Sequence, residues 1–185
     1  FELAREFAGA FNHSQDIPEY IFAIQISAQD NDNHSIGLFY DSEDSDPAGQ
    51  GRGDIDILDA HMDLYEENDE RADFFYFDSD ELRRTSKWAA SKSANIPVIR
   101  LAEMYLTRAE GNFRAGTTIG DTPLNDINTI RNRAGLSDLT AGELDLDAIL
   151  RERKLELSFE GHTLHDVKRN ELSVGDMEFD DPRLV

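Results

Sequence analysis

The sequence predicts a mostly α protein: a tetratricopeptide-like helical-repeat core joined to a loop-rich segment with minor β. Three observations carry that expectation. Apolar residues in the second half recur at spacings of three and four. Alanine occupies several of the positions where two helices would touch, as in helix-pair repeats whose axes approach closely. The first half alternates like a strand only briefly, between stretches of Gly, Asp and Ser.

Taken in order, residues 1–12 (FELAREFAGAFN) put Phe1, Leu3, Ala4, Phe7, Ala8 and Phe11 on one stripe and predict the end of a helix. Residues 17–27 (IPEYIFAIQIS) alternate β-branched or aromatic with polar or small residues and predict a strand. Residues 35–40 (SIGLFY) suggest a second, short extended piece, and 41–56 are a loop by composition. Helical spacing returns at 57–66 through Leu58, Met62 and Tyr65, and 74–95 shows no clean period.

A helix is predicted over 97–115, with Pro97 in its first turn and Gly116 as the C-terminal cap. Thr122 and Pro123 open a second, which ends near Gly135. Residues 140–143 (TAGE) have the form of a capping box, with Asp145 as an alternative cap. The third helix runs from Leu146 to about Arg169. The organisation is therefore a loop-rich segment (1–95), a helical-repeat segment (96–170) and a tail (171–185) of one domain. One helix pair cannot bury both of its faces, so this reads as a piece truncated at both ends whose stacking partners lie in further chain.

Composition narrows the function classes. The chain has 185 residues, 39% hydrophobic and 31% charged, enough for a real core. Its formal net charge of -21 repels phosphate backbones and excludes nucleic acid as a natural partner. It weighs against strongly anionic ligands as well, unless a local basic patch overrides the mean. Excess Asp and Glu with 14 Arg and only 4 Lys suits a surface kept solvated in high salt. With no cysteine there is no disulfide, thiolate metal site or cysteine nucleophile. No run approaches the roughly 18 apolar residues of a membrane-spanning helix.

Three motifs then point to a family. NIPVIRLAEMYLTRAE at 95–110 resembles the pattern N-x-P-V-I-R-L-A-E-x-Y-L-x-x-A-E. LNDINTIRNRAGL at 124–136 resembles L-N-x-I-R-x-R-A-G-L, and ILRERKLELSFEGH at 149–162 resembles I-x-x-E-R-x-x-E-L-x-F-E-G-H, followed by Asp166 and Arg169 as D-x-x-R. Upstream, 19–27 resembles an E-x-I-F-x-I-Q strand, and Leu64, Tyr65, Asp69 and Arg71 resemble L-Y-x-x-x-D-x-R. Together these resemble the SusD/RagB family, C-terminal portion. After Gly161-His162 the chain departs from the usual Arg and two aromatics, carrying Thr163, Leu164 and His165.

The resemblance implies a non-enzymatic lipoprotein on the extracellular face of the outer membrane, lipid-anchored in the full-length protein. It implies a SusC-like TonB-dependent transporter as partner, an oligosaccharide, polysaccharide or peptide as ligand, and no cofactor.

Several constellations have two readings. Glu103 with Glu110, or Glu156 with Glu160, would be acid–base pairs in an enzyme. Arg100, Arg108, Arg114, Arg131, Arg133 and Arg153 lie close enough in sequence to make ion pairs along helix faces or in buried networks, and the structural reading prevails. His162, His165 and Asp166 form an H-x-x-H-D set that lacks a third convergent metal ligand, so no metal is expected. The acidic stretches 30–34 and 41–46 lack the glycine and closing Glu of a calcium loop.

Sugar binding needs apolar rings for pyranose C–H faces and polar forks for hydroxyls. Trp88, Tyr76, Tyr40 and Arg84 are the candidates, with Arg83 and Asn95 nearby; Trp88 would equally serve to seal loops onto helices. The remaining readings are a generic helical-repeat scaffold for protein partners and a glycan hydrolase, which needs two facing carboxylates.

Overall fold

A computed structural model of the chain describes residues 1–27, 29, 35–42, 51–88 and 94–184. The first half holds β1 (Tyr20–Ile24), α1 (Ser35–Tyr40), α2 (Asp59–Met62) and the hairpin strands β2 (Phe75–Phe77) and β3 (Arg83–Thr85). Short 3-10 turns, Phe7–Ala10 and Glu70–Phe74, precede β1 and β2. The second half opens with β4 (Ile96–Arg100) and continues as α3 (Leu101–Ala115), α4 (Pro123–Arg133), α5 (Leu146–Glu156) and α6 (Thr163–Arg169). The protein is mainly helical, as predicted, with two two-stranded antiparallel sheets, β1–β4 and β2–β3.

Several boundaries follow the local signals. β1 falls inside the predicted strand. Gly116 caps α3 in the left-handed region at φ 64, where a side chain would be strained. Thr122 accepts a hydrogen bond from the Asn125 N–H, with Pro123 at the first helical position. The true N-cap of α5 is Asp145, which accepts from the Ala148 N–H. The Thr140–Glu143 contact closes a turn before it: the Glu143 carboxylate accepts from both the N–H and the hydroxyl of Thr140.

Other expectations are corrected, each by tertiary partners. Residues 1–12 are not a helix. The Ala4 N–H donates to the Glu19 carboxylate and the Glu2 N–H to the Pro18 carbonyl, so the donors that a helix would use are satisfied outside it. Phe7, Ala10 and Phe11 are buried all the same, while Phe1 is exposed. Residues 35–40 form helix α1 rather than a strand, because Ile36 and Tyr40, four residues apart, both pack on the cluster of Phe7, Phe11 and Trp88. The helix predicted from Pro97 begins only at Leu101. A residue before proline is driven to extended backbone, and β4 pairs with β1 in the register Tyr20↔Arg100 and Ala23↔Pro97.

The helix predicted to Arg169 is two helices, because Phe159 (φ 63) and Gly161 (φ 84) reverse the chain between α5 and α6. The acidic stretch 30–34 and most of 41–46 lie outside the described residues, as do 89–93 within the aperiodic segment.

The core has two parts. In the first, Ala102, Leu106 and Ala109 of α3 meet Ile127 and Ile130 of α4, Ile149 of α5 and Leu157. Spacings of four and three place the three α3 residues on one face, and the two alanines let α4 and α5 lie close on either side. The second is aromatic: Phe7, Phe11 and Trp88, edged by Phe74, Tyr40 and Phe159. Two substitutions test the close approach. Leu106→Ala should lower unfolding stability by about 2–5 kcal/mol, and Ala109→Leu by about 1–3 kcal/mol through overpacking, both read from urea denaturation midpoints.

Candidate functional site

The glutamates that an enzyme reading would need are consumed by arginines. Arg100 reaches Glu19 (2.7 Å), Glu156 (3.0 Å) and Glu160 (2.7 Å) with a side chain 1% exposed. Arg133 spans Glu19 at 2.9 Å and Glu156, and Lys87 holds Glu160 at 2.7 Å. A second branch runs from Asp69 through Arg71 and Glu152 to Arg131 and Glu66.

The network is long-range. The expected local pair of Arg100 with Glu103 does not form, and Arg153 turns to Asp166 (2.9 Å), with Glu103 at 3.9 Å, rather than to Glu152 or Glu156. Glu110 does pair with Arg114 (2.8 Å), and also with Arg169.

Protonation follows the geometry. Burial pushes Glu160 up, but Arg100 and Lys87 outweigh it and hold the carboxyl at about 2; the same balance lowers Glu156. A general acid has to carry a proton near the working pH, and neither group does so near neutrality. His162 lies 3.8 Å from Glu103, and among the described residues no three His, Asp or Glu side chains converge as metal ligands.

The four sugar-contact candidates separate. Trp88 is 3% exposed: its ring stands edge-on to Phe11 at 5.7 Å and its indole N–H donates to the Phe159 carbonyl at 2.9 Å. A ring enclosed on this scale has no face for a sugar, so of its two readings the structure realises the seal between loop and helix. Arg84 is also buried, donating to Asp78 (2.7 Å) and to the Ile55 carbonyl (2.7 Å), with its guanidinium against Gly53. Tyr76 faces Arg84 across the β2–β3 register; its hydroxyl donates to Asp41 and accepts from the Ser42 N–H at 3.0 Å. Tyr40 packs instead against the aromatic cluster and Phe159. Tyr40 alone among the four lines an open cleft.

That cleft measures about 310 Å³. Tyr40 stands edge-on to Phe159 at 5.2 Å, and Phe159 meets His61 at 5.4 Å and Phe75 at 5.9 Å. The opposite rim carries Lys154, Ser158, Thr163 and Leu164. His61 and Phe159 escaped sequence reasoning because each becomes part of a site only when α2 and the α5–α6 junction meet. The positive φ of Phe159 was the one local departure that marked it, and it is visible only in the backbone. Burial, with smaller contributions from Lys154 and Lys87, drops the His61 pKa to about 4, so the imidazole is neutral at physiological pH.

Two measurements follow. Arg100→Met leaves three buried carboxylates short of a cation and should cost about 3–5 kcal/mol, whereas Arg114→Ala, at an exposed pair, should cost under about 1 kcal/mol. For pH, the folded pKa of His61 lies below its ordinary 6.5, so its contribution is lost as pH falls from 6.5 through about 4. Glu160 falls from 4.5 to about 2 in the folded state, so its contribution is full above 4.5 and lost towards 2. Stability should thus decline in two steps on acidification. His61→Gln should remove the first and leave the second, as read by urea unfolding at stepped pH.

Comparison with known proteins agrees with this architecture. The SusD family model matches residues 76–182. No curated protein sequence matches the chain. A Bacteroides vulgatus protein described as sugar binding is 28% identical, with a TM-score of 0.70 over 88% of this chain and 38% of its own. A SusD superfamily protein of Bacteroides thetaiotaomicron superposes over 100% of this chain and 48% of its own, with a TM-score of 0.79 at 20% identity. Surface glycan-binding protein A of Bacteroides uniformis matches at 21% identity and a TM-score of 0.66, over 87% of this chain and 39% of its own. The chain thus spans less than half the length of these solved structures, and with a family match extending from β2 into the tail it belongs to the SusD family.

Proposed function

We propose that this chain is part of a non-enzymatic surface protein that captures glycans and delivers them to a partner TonB-dependent transporter in the outer membrane. The observation that carries the reading is family membership, together with the sugar-binding description of the 28% identical relative. The glycan-binding name of the Bacteroides uniformis protein points the same way.

The chemistry is consistent with binding without turnover. A hydrolase sets two carboxyl groups across an open cleft, roughly 5–9.5 Å apart, one of them protonated. Here Glu156 and Glu160 share one buried arginine and are held ionised. The Tyr40–Phe159 cleft instead offers rings and hydrogen-bond donors, the groups that hold a sugar without attacking it. Tyr40 is accordingly the ligand-side residue of choice in this chain, while Trp88, Arg84 and Tyr76 hold the loops around it.

Affinity electrophoresis and calorimetry of the intact protein on a polysaccharide panel should show retention by at least one glycan, with no new reducing ends released over the same period. Tyr40→Phe, which keeps the packed ring and removes only the hydroxyl, should weaken that retention severalfold with little change in melting temperature. Release of reducing ends, or binding to none of the panel, defeats the reading. Solubilised outer membranes should yield a TonB-dependent transporter with the intact protein, and its absence would refute delivery.

A further inference from the structure

The cleft at Tyr40 stands apart electrostatically from the rest of the surface. The chain carries 39 Asp and Glu against 18 Lys and Arg, and acidic side chains reach other concave sites of the described residues. Glu2 and Glu19 line one, Asp166 another, Glu70 and Asp73 a third, Glu103 and Glu110 a fourth. Among the described residues no carboxylate lines the cleft between Tyr40 and Thr163, although Lys154 and Thr163 also border the neighbouring site that Asp166 reaches. At this acidic composition, a concave surface without a carboxylate is a local reversal of the molecule's field.

Its polar groups are donors left unused by the fold. Lys154, exposed in the last turn of α5, makes no ion pair among the described residues, whereas Arg153 beside it is paired with Asp166. The hydroxyls of Tyr40 and Thr163 have no hydrogen-bond partner among the described residues. The remaining wall is the edge-to-face stack of Tyr40, Phe159 and His61. His61 is neutral at physiological pH, so it neither repels a cation nor holds a counter-ion of its own.

An ammonium and two hydroxyls without partners among the described residues, beside an aromatic wall, fit a ring that carries one negative charge. Charge-assisted hydrogen bonds are the stronger kind, and here Lys154 has no internal partner to surrender on binding. A neutral sugar would use the rings and hydroxyls and leave the lysine idle.

We propose that this cleft binds an anionic sugar unit, its carboxylate or sulfate on the Lys154 ammonium, its ring against Tyr40 and Phe159, and its hydroxyls at Thr163. The assignment rests on the glycan-binding reading and narrows it to acidic glycans. It also reverses the expectation, drawn from net charge alone, that anionic ligands are disfavoured.

The test titrates the intact protein with three probes: oligogalacturonate, a sulfated galactan oligosaccharide and a neutral galactan oligosaccharide. At least one anionic probe should bind more tightly than the neutral one, with an affinity that falls as NaCl rises. Carboxylate and sulfate are distinguished by which of the two is preferred. Lys154→Gln should weaken the anionic probe about tenfold or more and flatten the salt dependence, at unchanged melting temperature. Arg183→Gln, at an exposed cation of the tail that lines none of the cleft, should leave both unaltered. Equal or tighter binding of the neutral probe, or anionic binding indifferent to Lys154→Gln, overturns the acidic-glycan assignment while the glycan reading stands. Binding of none of the three probes or of any other glycan overturns both.

Discussion

The structure depends on one buried ion cluster, the Arg100 and Arg133 guanidiniums shared among Glu19, Glu156 and Glu160. Its members come from four separate places: the residue before β1, the last residue of β4, the last residue of α4, and the end of α5 with the turn beyond it. Each sits at a terminus, so satisfying the cluster fixes where elements end and how they face one another. Taking these charges out of water costs several kcal/mol per ion, and the mutual attraction only offsets that cost when the geometry is met. The cluster therefore contributes specificity more than net stability: a β1–β4 pairing slipped by one residue, or a rotated α4, would strand a charge in the interior.

That dependence explains what was legible in the sequence and what was not. Caps and contacts written within a few residues were readable: Gly116, Thr122 with Pro123, and the alanines of α3. The family motifs were readable as strings, and Glu19, Arg100, Arg133, Glu156 and Glu160 within them form the cluster. Their pairing was not readable, because Glu19 and Arg133 meet across 114 residues, while spacing rules report only neighbours three or four apart. The same blindness produced the errors at the ends of elements. Pro97 has the form of a helix-opening proline, yet β1 claims it for a strand. The apolar stripe of 1–12 has the form of a helix, yet Glu19 and Pro18 take its backbone donors.

The candidate site was half legible for a related reason. A lone tryptophan in a polar stretch is a fair sign of a ligand platform, but type and neighbourhood do not reveal burial. Trp88 pins the Phe159 carbonyl. Phe159 itself carries a positive φ, which costs a non-glycine residue of order 1–3 kcal/mol and persists because the surroundings hold it. The tryptophan thus acts one step behind the cleft: it secures the reversal between α5 and α6, and that reversal places Phe159 beside Tyr40 and His61. A ring that the sequence offered equally as platform or as seal lies buried behind the ring that lines the cleft.

The division between ion cluster and cleft also bears on the proposed reading of binding without turnover. A catalytic carboxylate is poised by leaving its charge partly unsatisfied in a dry, concave place. This chain does the opposite. Its buried Glu156 and Glu160 are paired with arginine and lysine, which hold them ionised even though one Glu156 oxygen has no hydrogen-bond partner. Among the described residues its open cleft is lined by rings and polar groups without a carboxylate. Groups able to push electrons lie buried and paired where no ligand reaches, and groups able only to hold a ligand lie exposed. Thr163 and Leu164, where the sequence departs from the motif it otherwise resembles, fall on the rim of that cleft. Neither belongs to the ion cluster, so under the proposed reading a change there alters the cleft without stranding a buried charge.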